Sequence, residues 1–437
     1  MLRGRPRDAL MPGLPATGLD SRQAWLRLLV TVVLMTIGGG GMYAAIVVLP
    51  AVQTEFGIAR ADASLPYTLT MIGFGFGGIL MGRLADRFGV IVPALIGTAC
   101  IGTGFWLAGG AQSLWGFAIA QSLLMGAFGS AATFSPLVAD SSLWFERRRG
   151  IAVAICASGN YLSGTIWPPV LQHFIETVGW RQTYFGAGLF CVATMLPLAM
   201  LLRGRPPGLQ VTSTNGAPPA GRAAPVQPLP AAAGHAMPLG LSPITLQTLL
   251  VIAGVACCVA MAMPQVHIVA YCADLGYGPA RGAEMLALML GCGIVSRVVS
   301  GIISDRIGGL RTLLFGSILQ GVALVMFLPS DALVSLYVVS ALFGLFQGGI
   351  VPSYAIIVRD FFPAGQAGTR VALVLTATML GMALGGWMSG ALFDLTGSYQ
   401  WAFINGIGWN LLNVAIAVFL LRRSGGLPLP GARLQRA

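Results

Sequence analysis

The chain has no lysine and little charge of either sign. All 25 basic residues are arginine, 14 residues are acidic, and charged residues make up 9% of the 437. A typical soluble protein carries roughly 25% charged residues to keep its surface wet, so a soluble globule is excluded. Disorder is excluded too, because 56% of residues are hydrophobic and mean hydropathy is +0.80. None of the seven cysteines (100, 156, 191, 257, 258, 272 and 292) forms a CxxC pair, and all lie in or beside apolar stretches. Zinc and structural disulfides therefore lack support, and these residues read as small buried hydrophobes. No P-loop occurs, so ATP is not the expected energy source. No metal-ligand cluster or nucleophile–base set is present, so an enzyme, a metal and a cofactor are not expected. The net charge of +11 raises nucleic acid, but no arginine cluster lies among stacking aromatics. A polytopic helical membrane protein remains.

Windows of about 19 residues find twelve apolar spans, near 25–49, 63–82, 90–109, 113–138, 148–173, 182–202, 244–271, 282–303, 311–328, 332–357, 368–393 and 400–421. The first is too long for a signal-peptide core and reads as an uncleaved helix. Between spans 6 and 7 the chain turns rich in Pro, Ala and Gly, which is linker composition. The expected order is an N-terminal tail (1–24), a six-helix bundle (25–203), a linker (204–241), a second six-helix bundle (242–423) and a C-terminal tail (424–437). With the N-terminus inside, 21 arginines fall on the cytoplasmic side, and three (Arg60, Arg181 and Arg281) on the other. That split predicts both termini cytoplasmic.

The halves repeat. Gly82-Arg-Leu-Ala-Asp86-Arg87-Phe-Gly89 follows span 2, and Gly301-Ile-Ile-Ser-Asp305-Arg306-Ile-Gly308 follows span 8, an offset of 219. Trp144-Phe145 and Phe361-Phe362 match at 217, and Gly179-Trp-Arg-Gln-Thr-Tyr-Phe185 matches Gly397-Ser-Tyr-Gln-Trp-Ala-Phe403 at 218. Three matches at nearly one offset mark a parallel tandem repeat.

The two Gly-x-x-x-Asp-Arg-x-Gly loops resemble the signature loop of the major facilitator superfamily. The likeness runs from about Trp25 to Arg423. The run Trp144-Phe145-Glu146-Arg147-Arg148-Arg149-Gly150, leading into Ala157-Ser158-Gly159-Asn160-Tyr161, is similar to the entry into helix 5 of the monocarboxylate-transporter and oxalate/formate-antiporter-like branch. The first-helix motif of the branch's animal members is absent, and Gly38-Gly39-Gly40-Gly41-Met42-Tyr43 stands in its place. The resemblance implies an all-α membrane protein of twelve transmembrane helices in two pseudo-symmetric six-helix bundles. In the loops, Gly82, Gly89, Gly301 and Gly308 permit tight turns and close helix approach, while Asp86, Arg87, Asp305 and Arg306 are candidates for an ion-pair cluster that gates the halves, with the fixing of topology as the alternative.

Arg297 is the outstanding candidate for substrate chemistry. It lies deep in span 8 with no deep acid to pair with, and Asp140, the nearest, sits at a helix end. A buried arginine costs roughly 2.5–3.5 kcal/mol on insertion scales. It is tolerable beside water, a counter-charge or an anionic ligand, and its planar fork suits a carboxylate. The alternative is snorkelling to the interface, about 6 residues or ~9 Å away. The resemblance also places a substrate-binding arginine of helix 8 at Arg297, with Gly293 where animal members have an acid. Tyr43, Asn160, Tyr161, Gln347 and Tyr354 are candidate partners from cavity-lining spans, and interhelical hydrogen bonding is their alternative. His267 is a candidate for proton coupling or a packing histidine, whereas His173 and His235 read as incidental. Asn405, Asn410 and Asn413 read as packing polar groups, and Pro136, Pro168, Pro169, Pro264 and Pro352 as kinks.

The expected function is secondary active transport of a small mono- or dicarboxylate across an inner membrane, driven by proton symport or anion exchange. The expected partners are that substrate and lipid, without nucleic acid, around a monomer. A drug exporter would carry the glycine-proline motif of helix 5, which SGNYLSGTIWPP does not match, and a cation exporter a cavity acid. A membrane sensor on this fold would need an output domain larger than the linker.

Overall fold

The computed structural model describes residues 19–145, 149–204 and 238–424. Outside them lie the chain before residue 19, Glu146-Arg147-Arg148, most of the linker with His235, and the chain after residue 424. Twelve long helices run in order: α1 (Arg22–Val47), α2 (Arg60–Phe88), α3 (Ile91–Gly109), α4 (Leu114–Leu143), α5 (Arg149–Val178), α6 (Trp180–Leu201), α7 (Pro243–Asp274), α8 (Pro279–Ile307), α9 (Gly309–Phe327), α10 (Leu333–Phe361), α11 (Ala364–Thr396) and α12 (Tyr399–Arg423). Among the described residues there is no strand. Eleven of the helices are long and apolar enough to cross a membrane. The other, α5, has 30 residues and therefore the length, but Asn160, Tyr161 and Pro168-Pro169 dilute its apolar run. Below, the face where α1 begins and α12 ends is the Arg-rich face, and the opposite one the far face.

The repeated motifs occupy equivalent turns. Gly89 ends α2 with φ +82° and Gly308 ends α8 with φ +84°, while Gly179 and Gly397 precede α6 and α12 with φ +85° and +69°. Only glycine adopts these angles without strain, which accounts for the residue type at each copy.

Three helices depart from the smooth spans read from hydropathy. In α1, the helix breaks at Gly39. In α4, residues 120–130 are wound as a π-helix and 131–134 form turns before Pro136 restarts the helix. In α10, Gly348-Gly349 interrupt the helix just before Pro352. Irregular backbone in a membrane must find other hydrogen-bond partners. Those of α1 are visible: Ser130 Oγ donates to the Gly38 carbonyl at 2.8 Å, Gln121 Nε2 to Gly41 at 2.5 Å and Trp167 Nε1 to Thr36 at 2.9 Å. The π-wound turn of α4 thus supplies side chains to the broken turn of α1.

Within each half, glycine sets the closest helix contact. A Cβ on Gly77 of α2 would lie 2.0 Å from the Ala127 carbonyl oxygen of α4, and one on Gly344 of α10 would lie 2.0 Å from that of Met289 on α8. The contacts are related by the repeat, but the glycine sits on the second helix of one half and the fourth of the other. Gly77→Ala or Gly344→Ala should cost about 1–3 kcal/mol through backbone displacement. The check is a fall in detergent-solubilised melting temperature, while Gly82→Ala, in open space, leaves it unchanged.

Near the Arg-rich face, Arg27 proves to be a structural residue rather than a topological charge. Its Nε donates to Asp140 at 2.9 Å, its Nη2 to the Leu202 carbonyl at 3.1 Å, and its guanidinium lies 4.6 Å from the Trp144 ring. It ties α1 to α4 and α6.

Candidate functional site

The two halves meet along α2–α11 and α5–α8. Gly386 and Gly390 of α11 let α2 approach at Tyr67 and Arg60, and Gly164 and Gly291 bring α5 and α8 together at Leu290 and Thr165. Arg297 lies on this seam. Its guanidinium carbon sits 4.0 Å from the centre of the Tyr161 ring on α5, across from its own half. It therefore points neither at lipid nor away toward the interface. The Nε atom is buried without a hydrogen-bond partner, and among the described residues Arg297 makes no ion pair. A cation–π contact contributes about 0.5–1 kcal/mol when exposed and about 2 kcal/mol or more when desolvated, and it leaves the positive charge in place.

Tyr43 and Asn160 join this group. Tyr43, carried just beyond the break of α1, donates its hydroxyl to the Asn160 carbonyl at 3.2 Å and is in electrostatic reach of both Tyr161 and Arg297. The backbone of Asn160, rather than its amide, makes that contact. Four predicted residues are thereby brought together.

The other predicted residues bond to other partners. Gln347 is fully buried in α10, where its Oε1 accepts from Gln265 Nε2 of α7 at 2.8 Å and its own Nε2 has no partner. Tyr354 turns out of the seam and donates to Asn413 Oδ1 of α12 at 2.9 Å. Asn413 in turn donates to Ser317 Oγ, and Asn410 to the Ser317 carbonyl, so this group ties α9, α10 and α12. The seven-residue spacing of Gln347 and Tyr354 places them on one face of an ideal helix, but the break at Gly348-Gly349 intervenes.

His267 is fully buried at the far end of α7. Its Nε2 lies 2.7 Å from the Gly386 carbonyl, which only accepts, so Nε2 carries a proton. Its Nδ1 lies 3.1 Å from the Tyr399 hydroxyl, which itself receives an N–H from Arg60 Nη1 at 2.7 Å. A neutral imidazole satisfies both contacts, with Tyr399 donating to Nδ1.

This chain belongs to a cluster that sequence reasoning missed. Arg60, at the start of α2, pairs in two-pronged fashion with Asp274 at the end of α7, at 2.9 and 3.1 Å. Asp394 of α11 accepts from the backbone N–H groups of Arg60 and Ala61 at 2.8 and 2.7 Å, capping α2 from the opposite half. Phe393 and Tyr399 flank the guanidinium. The seam is therefore closed at the far face. The available signal was the scarcity of arginine on that side: one of only three stands there with acids at the ends of two other spans.

The repeated loops present the opposite picture. A Cβ on Gly82 or Gly301 would meet nothing within 4 Å, and among the described residues Asp86, Arg87, Asp305 and Arg306 form no ion pairs. The close approach expected of Gly82 and Gly301 is absent in this state. Gly89 and Gly308 serve the turns.

Twelve helices in two repeated halves, meeting on a seam where Arg297 has no counter-charge among the described residues, mark a multi-pass membrane protein. The sequence pattern of the Major Facilitator Superfamily matches residues 29–337 and 250–435, and the chain belongs to that family. It is a transporter, not an enzyme. It is 28% identical over 364 residues to monocarboxylate transporter 13 of Bos taurus, covering 80% of this chain and 76% of that one. It is 23% identical over 350 residues to the MFS-type transporter pynF of Aspergillus niger, covering 79% and 75%. Among solved structures, a bacterial homologue of the human lysosomal transporter Spinster, inward-facing and occupied, superposes with a TM-score of 0.65 at 14% identity over 93% of this chain and 97% of that one.

Proposed function

We propose that this protein is a secondary active carrier of a small organic anion, a mono- or dicarboxylate. The observation that carries this reading is Arg297: a half-buried guanidinium on the seam between the halves, with an unpartnered Nε and a neutral aromatic partner instead of a counter-charge. A carboxylate would supply the missing charge and accept from the fork in two-pronged geometry. Tyr161, Tyr43 and Asn160 stand beside it, and the relationship to monocarboxylate transporter 13 accords with such a cargo.

Transport proceeds by alternating access. With Arg60, Asp274 and Asp394 bonded, substrate exchanges through the Arg-rich side. When they separate, the halves rock about the seam, and the loops with Asp86 and Arg87, and with Asp305 and Arg306, close that side. The arginine distribution supports an inner-membrane orientation with tails 1–24 and 424–437 and linker 204–241 in the cytoplasm. A proton or a counter-anion drives the cycle, and His267 is a coupling candidate once its far-face partners move.

The test is uptake of a radiolabelled panel (formate, acetate, lactate, pyruvate, oxalate) into proteoliposomes, with a pH gradient or with internal unlabelled anion. Saturable uptake of at least one is expected. No saturable uptake of any, with intact folded protein, would overturn the reading.

A further inference from the structure

Gly293 lies one helical turn before Arg297, on the same face of α8. It has no Cβ, and the space a Cβ would fill is taken by another residue. A Cβ built there would lie 2.4 Å from Cε1 and 2.7 Å from Cδ1 of Tyr161. The same ring lies 4.0 Å beneath the Arg297 guanidinium. Tyr161 is almost fully buried, so it has little room to shift and still cover Arg297. The ring is thus held in a notch of α8 whose floor is a glycine and whose lip is the arginine.

We infer that Gly293 is a positioning residue for the anion site: its missing side chain admits the Tyr161 ring, and the ring sets the plane in which Arg297 presents its fork. This rests on the reading of Arg297 as the anion-binding group. A guanidinium lying on a ring has one face covered and its N–H groups directed outward in its own plane. A carboxylate must then approach along that plane. An exposed guanidinium on a flexible stem has no such preference and loses more freedom on binding. The partner's neutrality matters as well. A tyrosine ring offsets part of the cost of holding the charge in a low-dielectric seam, yet a bound anion need not displace it. An acidic side chain in the notch would pair with Arg297 and compete with the substrate.

The inference makes Gly293 a determinant of affinity without contact to the anion. Gly293→Ala should drive the ring out of the notch. Tyr161→Leu removes the ring without adding bulk to α8. Tyr161→Phe keeps the ring and loses only the hydroxyl, so it should recover most of what Tyr161→Leu loses.

The experiment uses the purified full chain in nanodiscs. Phenylglyoxal modification of Arg297 is followed by peptide mass spectrometry, with and without formate, acetate, lactate, pyruvate or oxalate. In the parent protein, Arg297 should react slowly, and at least one anion should protect it. In Gly293→Ala and Tyr161→Leu, the unprotected rate should rise, and the anion concentration for half-protection should increase roughly three- to tenfold, because a freed side chain must be immobilised again on binding. Tyr161→Phe should stay within about twofold, well under the tenfold that 1.4 kcal/mol represents. If no anion protects the parent, the anion-site reading itself fails. If anions protect but Gly293→Ala and Tyr161→Leu leave rate and half-protection unchanged, the reading stands and the role of Gly293 is refuted. If Tyr161→Phe weakens protection as much as Tyr161→Leu, the hydroxyl rather than the ring is responsible, which also refutes it. Should Gly293→Ala fail to fold, Tyr161→Leu against Tyr161→Phe decides alone.

Discussion

Replacing Arg297 by alanine should reduce anion transport at least about 100-fold in kcat/KM while leaving the protein folded. Hydrogen bonds to charged groups are each worth about 1.5–3 kcal/mol, and a two-pronged carboxylate contact forfeits two of them. The effect on stability should have the opposite sign. Arg297 holds a charge in the seam with an unpartnered Nε and only the Tyr161 ring against it. Removing it removes a desolvation penalty along with a cation–π contact. The melting temperature of Arg297→Ala in detergent should therefore match or exceed that of the parent. Arg297→Lys restores charge but not the planar fork, and should recover no more than about a tenth of the lost activity. Proteoliposome uptake paired with thermal unfolding reads both quantities. Full activity in Arg297→Lys would remove the argument for two-pronged binding. A large loss of stability in Arg297→Ala would reassign the residue to the architecture.

The second large effect concerns the far face. Asp274→Ala should open that face. Arg60 is 9% exposed at its side chain and Asp274 36%, so the pair is partly screened, and its loss should shift the balance between the two states by about 1–3 kcal/mol, or roughly 5- to 150-fold. Ala63, sealed against Leu49 and Ala270 beside this cluster, is a suitable reporter position. In an Ala63→Cys background, a membrane-impermeant maleimide should label residue 63 at least about fivefold faster once Asp274→Ala is added. Asp394→Ala removes a helix cap worth about 0.5–2 kcal/mol and should act in the same direction more weakly. Equal labelling rates with and without Asp274 would mean that the pair does not hold the halves together at that face.

The predicted partners of Arg297 show where sequence reasoning reached and where it stopped. Tyr43, Asn160 and Tyr161 lie with Arg297 on the seam, on helices whose own sequences single them out: a glycine run marks the break of α1, and a polar run marks α5. Tyr354 went elsewhere, onto Asn413, because the break at Gly348-Gly349 resets the rotation of the second part of α10. Hydropathy carries no record of that rotation. Arg27 looked like one more cytoplasmic charge, yet it is buried against Asp140, since a charge near a helix end serves topology and packing equally well.

The sequence alone determined the membrane class, the twelve spans, the repeat and the oddity of one deep arginine. Each follows from local quantities, namely transfer free energy over a window, the charge of a loop, or a motif and its offset. Only the tertiary structure decided that Tyr161 fills the notch of Gly293, that Asp394 caps a helix of the other half, and that His267 lies in a chain from Arg60. Those facts depend on which faces meet across the seam. In a membrane the apolar faces of a helix are nearly equivalent in transfer energy, so shape and hydrogen bonding choose among them. Those two become definite only when all the helices are in place.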